Sequence, residues 1–385
     1  KLQFCDLKLN PLSYSCDDDI RNSLPKLDTH SGWFWILSGK KQKGDNMDGI
    51  LNIYLEDIND ALISGTLGKP ILSGNRTQAS GEYDDDGQQT NICKHKTRVV
   101  SMIDLIQIIL ELRFAKPIQD FMSSREWYAG GKDDNAISRI ITNNRVKFRN
   151  FLSIDYSSFD QTISSWLIQD AFSIIKSAFV LQYDSIDDKL FDIMVNDFIH
   201  KDFVLNEGIL HCDKGVPSGS MFTQIIDSIV NVLVIRTYFN SISAQAEMLC
   251  MGDDNIIFTS SNTTLEDLSS YVAKNFGLIV KIDDKSNSGD CKHDNVKFLS
   301  RYWTWHGQYR HPHQLLSRML YPERKRDYSS EIGPQHVIFA FILTYGQGMI
   351  ELIDVNRFTH DYPISKDFVL SRVDSRYLPG ALAYI

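Results

Sequence analysis

The sequence predicts an α+β fold built around a small antiparallel sheet. Three observations predict it. Between about residues 151 and 303, apolar segments follow the order strand, helix, helix, hairpin, helix, strand. A Gly-Asp-Asp interrupts the apolar stretch Glu247–Phe258, as a tight hairpin turn would. The 385 residues, 43% hydrophobic and 23% charged, have an ordinary globular composition. They are too many for one small core and imply two or three subdomains around a shared centre.

Each element follows in order, with no internal repeat. Residues 1–50 read as irregular, with Asp17-Asp18-Asp19 and Lys40-Lys41-Gln42-Lys43 as solvated loops. Ser73–Thr90, polar and rich in glycine, reads as a loop carrying a solvated Asp84-Asp85-Asp86. Lys94, Lys96 and Arg98 alternate, so on a strand they face one way. They can hold a triphosphate there, or simply form an exposed basic strand. From Met102 to Met122, Ile103, Ile106, Leu110 and Phe114 fall at the spacing of a helix with one buried stripe. Gly130-Gly131 ends that pattern. Phe151–Asp160 opens as a strand and turns polar at Asp155, and a helix follows over roughly Ser164–Val180. Gly215–Ser220 is a Gly/Pro/Ser loop leading into a long helix, Met221–Tyr238. Then come the hairpin at Gly252, a helix over Leu265–Phe276, and strands at Leu278–Ile282 and Val296–Trp303. The remainder is mixed, helical in part, with several aromatics.

Bulk properties exclude some classes. The six cysteines are scattered without a CxxC pair, as reduced thiols are. No apolar run is long enough to cross a bilayer, and no signal-peptide pattern opens the chain, which begins on lysine as a fragment would. The net charge of −9 argues against nonspecific coating of nucleic acid, yet leaves room for a local basic channel.

Adjacent carboxylates repel, so Asp253-Asp254 needs a reason. Alone, such a pair reads as a surface turn. If the hairpin pairs beside the strand that ends at Asp155, three carboxylates meet at one rim. That cluster suits two Mg²⁺, which prefer carboxylate oxygens and substrate phosphates. Asp160 lies past the strand end, too far along to share those metals comfortably. Thr223, Asp227 and Asn231 stand four apart, along one helix face. That face is either the wet side of the helix or a ribose-facing stripe. On the second reading, Asp160, Ser218 and Asp227 bond the 2′-hydroxyl that distinguishes RNA from DNA. Ser218-Gly219 can follow a template backbone closely.

Together these residues resemble a known family. Asp155-x4-Asp160, Ser218-Gly219-x3-Thr223 with Asp227 and Asn231, and Gly252-Asp253-Asp254 stand in the order of motifs A, B and C of viral RNA-dependent RNA polymerases. KIDDKSNS, NVKFLSRYW and Lys96-x-Arg98 look like motifs D, E and F. SGNRTQ, RFAKPIQDFM and GVPSGSMFTQIIDSIVN resemble the polymerases of partitiviruses and their picobirnavirus-like relatives, which have double-stranded RNA genomes.

The resemblance implies a right-hand polymerase with an RRM-like antiparallel palm sheet. Residues 1–150 would be mostly fingers, with an N-terminal segment bridging to the thumb. Residues 151–305 would be palm, with a fingers insertion at about 185–214, and 306–385 thumb. Asp155, Asp253 and Asp254 would hold two Mg²⁺, with Mn²⁺ able to substitute. Lys96, Arg98, Asp160, Ser218, Gly219, Thr223 and Asp227 would bind the NTP and position the template. Lys285 would protonate the departing pyrophosphate, although Lys281 and Lys292 are close enough in sequence to be confused with it. The implied partners are template and product RNA, NTPs and the interior of a viral capsid, with no membrane and no DNA. The implied location is the virion interior or host cytoplasm. Two departures stand out: Asp227 where many positive-strand virus enzymes carry Asn, and Asn255, to which the sequence assigns no role. The rivals are a reverse transcriptase, whose gate is aromatic where this chain has Asp160, and a noncatalytic RNA-binding or capsid-scaffold protein. Basic Arg324-Lys325-Arg326 reads either as a solvated turn or as a contact with exiting or priming RNA, and the histidines His306, His311 and His313 read as ordinary loop residues.

Overall fold

The structure is a computed structural model that describes Phe4 and residues 7–83, 89–282, 288–305 and 307–309, with only the backbone for Leu37 and for residues 77–83, 89–96, 307 and 309. In chain order the elements are α1 (Asp17–Ser23), α2 (Trp33–Leu37), α3 (Ile50–Ser64), β1 (Ile71–Tyr83), β2 (Gln89–Met102), α4 (Leu105–Ser123) and α5 (Asp134–Lys147). Next come β3 (Asn150–Ile154), α6 (Phe159–Thr162), α7 (Ser165–Lys176), α8 (Ile186–Ile199), β4 (Lys201–Leu205), β5 (Gly208–Cys212) and α9 (Thr223–Ser241). The described chain closes with β6 (Ala246–Met251), β7 (Asp254–Thr259), α10 (Leu265–Phe276), β8 (Ser288–Asp290), β9 (Val296–Phe298), β10 (Arg301–Thr304) and β11 (Gly307–Tyr309).

The chain divides into two compact units. The first comprises Lys1–Asn75, Val99–Gly130 and Ile154–Lys285; the second comprises Arg76–Arg98, Gly131–Ser153 and Ser286–Ile385.

The first unit is organised around α9. This helix is buried on nearly every side, at Ile225, Ile226, Ile229 and Val230 but also at Asp227, Ser228 and Asn231. A helix apolar all round belongs in a core, and α9 packs against β6, α4, α6, α7 and α10. Phe172 meets Phe198 and Phe222 edge-on with ring centroids 5.0 and 5.1 Å away, and Phe114 meets Phe191 at 5.1 Å. Such pairs add about 0.5–1.5 kcal/mol each beyond the area they bury. The helix ends follow local chemistry. Asp104 caps α4 by accepting from Ile106 N at 3.0 Å, and a Thr264–Asp267 capping box opens α10, which Gly277 closes at φ +69°.

In the second unit, β3 pairs antiparallel with β8 from Asn150↔Asp290 to Leu152↔Ser288. The strands β11, β10 and β9 form a separate antiparallel sheet. The buried guanidinium of Arg145 donates to Cys291 O at 2.7 Å and Asp294 O at 2.8 Å, closing the turn between β8 and β9.

Several expectations are corrected. Over Ser73–Tyr83 and from Gln89 onward the chain is strand and not loop: β1 and β2 are hydrogen-bonded neighbours in a sheet of order β2-β1-β4-β5. A ladder satisfies backbone groups whatever the polarity of the side chains, so a polar, glycine-rich strand escapes pattern reading. Asp84-Asp85-Asp86 lies outside the described residues. Asp17-Asp18-Asp19 forms the first turn of α1, and the Asp17 carboxylate accepts from Gly49 N and Leu51 N at 2.8 Å each. Lys43, expected in solvent, is buried, and burial lowers its pKa. The α4 helix has no single buried stripe, because every residue from Leu105 to Leu112 is buried. Leu278–Ile282 is not a strand: among the described residues it makes a single bridge, Tyr156↔Val280. Val296–Trp303 is two strands, since Leu299 and Ser300 at φ +53° and +57° make a two-residue turn between them.

Candidate active site

The Gly-Asp-Asp is a hairpin tip. β6 and β7 pair from Ala246↔Thr259 to Met251↔Asp254, which leaves Gly252-Asp253 as a two-residue turn. Gly252 has φ +66°, where glycine carries no steric penalty. Asp253 is exposed at the tip, and Asp254 is half-buried at the start of β7. Residues 127–129 flank the other side of β6: Cys250 N donates to Trp127 O at 2.8 Å, and Ala129 N donates to Cys250 O at 2.9 Å.

The α9 helix grips this tip. Gly252 N donates to Ser228 Oγ at 2.8 Å. Asn231 Nδ2 donates to Gly252 O at 3.0 Å and Asp253 O at 3.2 Å. Asn231 Oδ1 accepts from Tyr156 Oη at 3.2 Å and from Asn255 Nδ2 at 2.9 Å. One buried amide thus ties the residue next to Asp155 to the turn that carries Asp253 and Asp254. Asn255 gains a role here as the second donor to Asn231. Burial pushes the Tyr156 hydroxyl far up, so it stays protonated and donates.

Asp155 is exposed just past β3. Lys281 Nζ lies 2.9 Å from Asp155 Oδ2, and Lys281 N donates to Asp155 O at 2.8 Å. Among the described residues, Lys281 is the lysine that stands at this acid. Lys285 lies outside the described residues.

The expected stripe on α9 is neither wet nor open. Asn231 is spent on the hairpin, and Asp227 is buried. Burial first, then the charges of Asp160 and Asp253, hold the Asp227 carboxyl well above the usual carboxylate range. It therefore keeps its proton and donates it to Asp160. Asp160 sits in the first turn of α6, half-buried. Thr223 Oγ1 donates back to Pro217 O at 2.7 Å, which closes the Gly215–Ser220 loop onto the start of α9.

That loop is held from below. Ser218 Oγ accepts from Ser101 N at 3.1 Å. Gly219 packs so closely that a Cβ there would lie 2.0 Å from Ser101 O. Glu111, wholly buried on α4, accepts from Ser220 Oγ and Met221 N at 2.8 Å each, and from Gln107 Nε2 at 3.4 Å. Burial raises its pKa to about 7, against the hydrogen bonds and Lys43, which lower it. Sequence reading missed Glu111. A single acid inside an apolar helix was its only local signal, and two of its partners, Ser220 and Met221, lie more than a hundred residues away.

Asp155, Asp160, Ser218, Gly219, Thr223, Asp227, Asp253 and Asp254 all belong to the first unit. Arg98 is exposed on β2 at the edge of the second unit, and Lys96 is on the same strand with its side chain outside the described residues. Asp155, Asp253 and Asp254 each offer a carboxylate, the kind of ligand that hard cations such as Mg²⁺ take, but among the described residues they do not form a cluster with ligand atoms within 4.8 Å of one another. The Lys281 ammonium lies against Asp155, so this carboxylate faces a cation. Burial first, then the charges of Asp254, Asp227 and Asp253, push the Cys250 thiol well up.

A family model described as viral RNA-dependent RNA polymerase matches residues 24–374. The chain belongs to that family. The RNA-directed RNA polymerase of Cryptosporidium parvum virus 1 (strain KSU-1) is 31% identical over 169 residues, covering 42% of this chain and 31% of that protein. The genome polyprotein of Ljunganvirus 1 is 31% identical over 151 residues, covering 38% of this chain and 6% of the polyprotein. The matches thus span about a third or less of these relatives. The crystal structure of a human picobirnavirus RNA-dependent RNA polymerase superposes with TM-score 0.67 at 17% identity, over 97% of this chain and 70% of that one. The Sicinivirus 3Dpol RNA-dependent RNA polymerase superposes with TM-score 0.64 at 15% identity, over 88% and 75%. The fold is accordingly the α+β right-hand polymerase fold.

Proposed function

We propose that this chain is an RNA-directed RNA polymerase that adds nucleotides from NTPs to an RNA 3′ end, and that it transcribes and replicates a double-stranded RNA virus genome. The observation that carries the reading is the Asn231 amide, which fixes the Gly252-Asp253 turn and the segment at Asp155 as one assembly. A pure scaffold has no use for three carboxylates held this way. Likeness to the polymerases of Cryptosporidium parvum virus 1 and a human picobirnavirus supports the same reading.

Asp155 and Asp254 hold two Mg²⁺ on this reading, with Asp253 assisting and Mn²⁺ able to substitute. When bound, the ions stabilise charge on the attacking and leaving oxygens of phosphoryl transfer. The chain's own groups do the rest. Protonated Asp227 donates to Asp160 and so fixes its carboxylate to accept the ribose 2′-hydroxyl. Ser218 and Gly219, tied to Ser101, lay the loop against the template backbone, and Thr223 closes it. Lys96 and Arg98 hold the triphosphate, and Lys285 delivers a proton to the leaving pyrophosphate. Fingers over 1–150, palm over 151–305 with an insertion at about 185–214, and thumb over 306–385 complete the proposal. So do template and product RNA as partners, and work inside a capsid in the virion or host cytoplasm. No described helix is long and apolar enough to cross a membrane.

The test incubates purified protein with an RNA template and labelled NTPs in Mg²⁺ or Mn²⁺. Template-length RNA is expected, and Asp254→Asn should abolish it while RNA binding persists. Product from dNTPs instead would make the chain a reverse transcriptase. RNA binding without product under either metal would leave a scaffold.

A further inference from the structure

The β4–β5 hairpin precedes the Gly215–Ser220 loop, and its outer face carries chemistry that polymerisation does not use. The pattern His-x-Asp occurs twice on it, as His200-Lys201-Asp202 and His211-Cys212-Asp213. The ladder pairs Asp202 with His211 and Lys201 with Cys212. One rung further, His200 stands across from Asp213. Residues two apart share a face of a strand, so both histidines and both aspartates gather on one side. Lys201 turns the other way, where it is buried and its ammonium donates to Gly215 O at 2.8 Å.

The four side chains converge. His200 Nδ1 lies 2.7 Å from Asp213 Oδ1, and His211 Nε2 lies 2.9 Å from the same oxygen. His211 Nδ1 lies 2.7 Å from Asp202 Oδ1. The ligand atoms of His200, His211 and Asp213 all fall within 4.8 Å of one another, and all three residues are exposed.

We propose that this face binds a divalent transition-metal ion of the zinc class through His200 Nδ1, His211 Nε2 and Asp213 Oδ1, with water completing the shell. Asp202 Oδ1 accepts a hydrogen bond from His211 Nδ1–H, which leaves the Nε2 lone pair facing the other ligands. Ligating histidines are held by carboxylates in this way. Two imidazoles and one carboxylate suit Zn²⁺, whereas Mg²⁺ prefers oxygen ligands and keeps several waters. The site is therefore chemically distinct from the all-carboxylate set at Gly252, and it stands whether or not the chain polymerises RNA. The ion would clamp the two strands and, through Lys201, brace Gly215 at the start of the loop.

The test uses the full chain, purified without a polyhistidine tag and stripped of metal, in excess Mg²⁺. Co²⁺ absorption and Zn²⁺ calorimetry read the site. Wild type should take up one tight equivalent. Asp202→Asn should bind roughly 10–100-fold more weakly, the usual cost of losing an outer carboxylate. His200→Ala with His211→Ala should lose the tight equivalent altogether, with the melting temperature of the metal-free protein unchanged. Asp254→Asn should bind Zn²⁺ as wild type does. Undiminished tight binding by the double histidine variant would overturn the proposal, as would its loss in Asp254→Asn or a wild type that takes up no tight equivalent.

Discussion

Lys281 Nζ stands 2.9 Å from Asp155 Oδ2, an exposed carboxylate just past β3. If Asp155 holds a divalent cation as proposed, the ammonium competes with it for that oxygen. Lys281→Met should lower the Mg²⁺ concentration needed for half-maximal nucleotide incorporation by about fivefold, the equivalent of ~1 kcal/mol. Both side chains are 42–55% exposed, so the pair adds little to stability and the melting temperature should barely move. A Mg²⁺ midpoint that stays put or rises would show that Lys281 assists the metal site instead.

Glu111 should give the fold a pH signature. Its pKa rises from the ordinary 4.5 to about 7 in the folded chain. Between those values the folded chain keeps the proton that the unfolded chain loses, so stability falls as pH rises through that window. Glu111→Gln keeps an acceptor for Ser220 and Met221 but cannot ionise. Denaturant melts at pH 5 and pH 8 should therefore show wild type losing on the order of 2 kcal/mol relative to the variant. Parallel stability curves for the two proteins would remove Glu111 from the account.

Gly219→Ala puts a methyl group 2.0 Å from Ser101 O, against backbone that cannot swing aside. Overpacking of this kind costs typically 1–3 kcal/mol. The displaced loop should cut RNA elongation far more than it lowers the melting temperature. A variant that elongates normally would mean that the loop does not follow the template.

The Asp227–Asp160 pair makes a two-part demand. Asp227 is protonated in place, so Asp227→Asn, which supplies an N–H donor of the same size, should retain most NTP incorporation. Asp160→Ala removes the acceptor offered to the 2′-hydroxyl and should lower NTP use more than dNTP use, because a site built to bond a hydroxyl discriminates through that bond. Single-nucleotide incorporation with matched NTP and dNTP measures both. An unaltered sugar preference in Asp160→Ala would assign the carboxylate another task.

Much of the site was legible because its signals are local. The Gly252 turn, the helix after the Gly215–Ser220 loop and the strand ending at Asp155 each carry their own period or breaker, and all three elements stand where the pattern put them. What escaped depends on partners distant in sequence. Nothing near Glu111 announces Ser220, and nothing near Lys43 announces burial. That Lys281 meets Asp155 rests on a backbone bond from Lys281 N to Asp155 O, which no local pattern announces. The strands β1 and β2 hid behind polar side chains. The doubled His-x-Asp was visible in the sequence, but only a pairing register makes its two halves neighbours.

Asn231 spends its whole amide at once, two donors to the turn and one oxygen to Tyr156 and Asn255. Aspartate in its place would offer oxygens to carbonyls, and leucine would orphan four polar groups. Tyr156, Asn231 and Asn255 are therefore coupled, so a change at Asn231 strands partners on both sides of it, whereas a change at Tyr156 or Asn255 strands one. The carboxylates can be exchanged one at a time and their loss measured alone, but a change at Asn231 is felt at every segment it ties, which makes that amide the position least open to redesign.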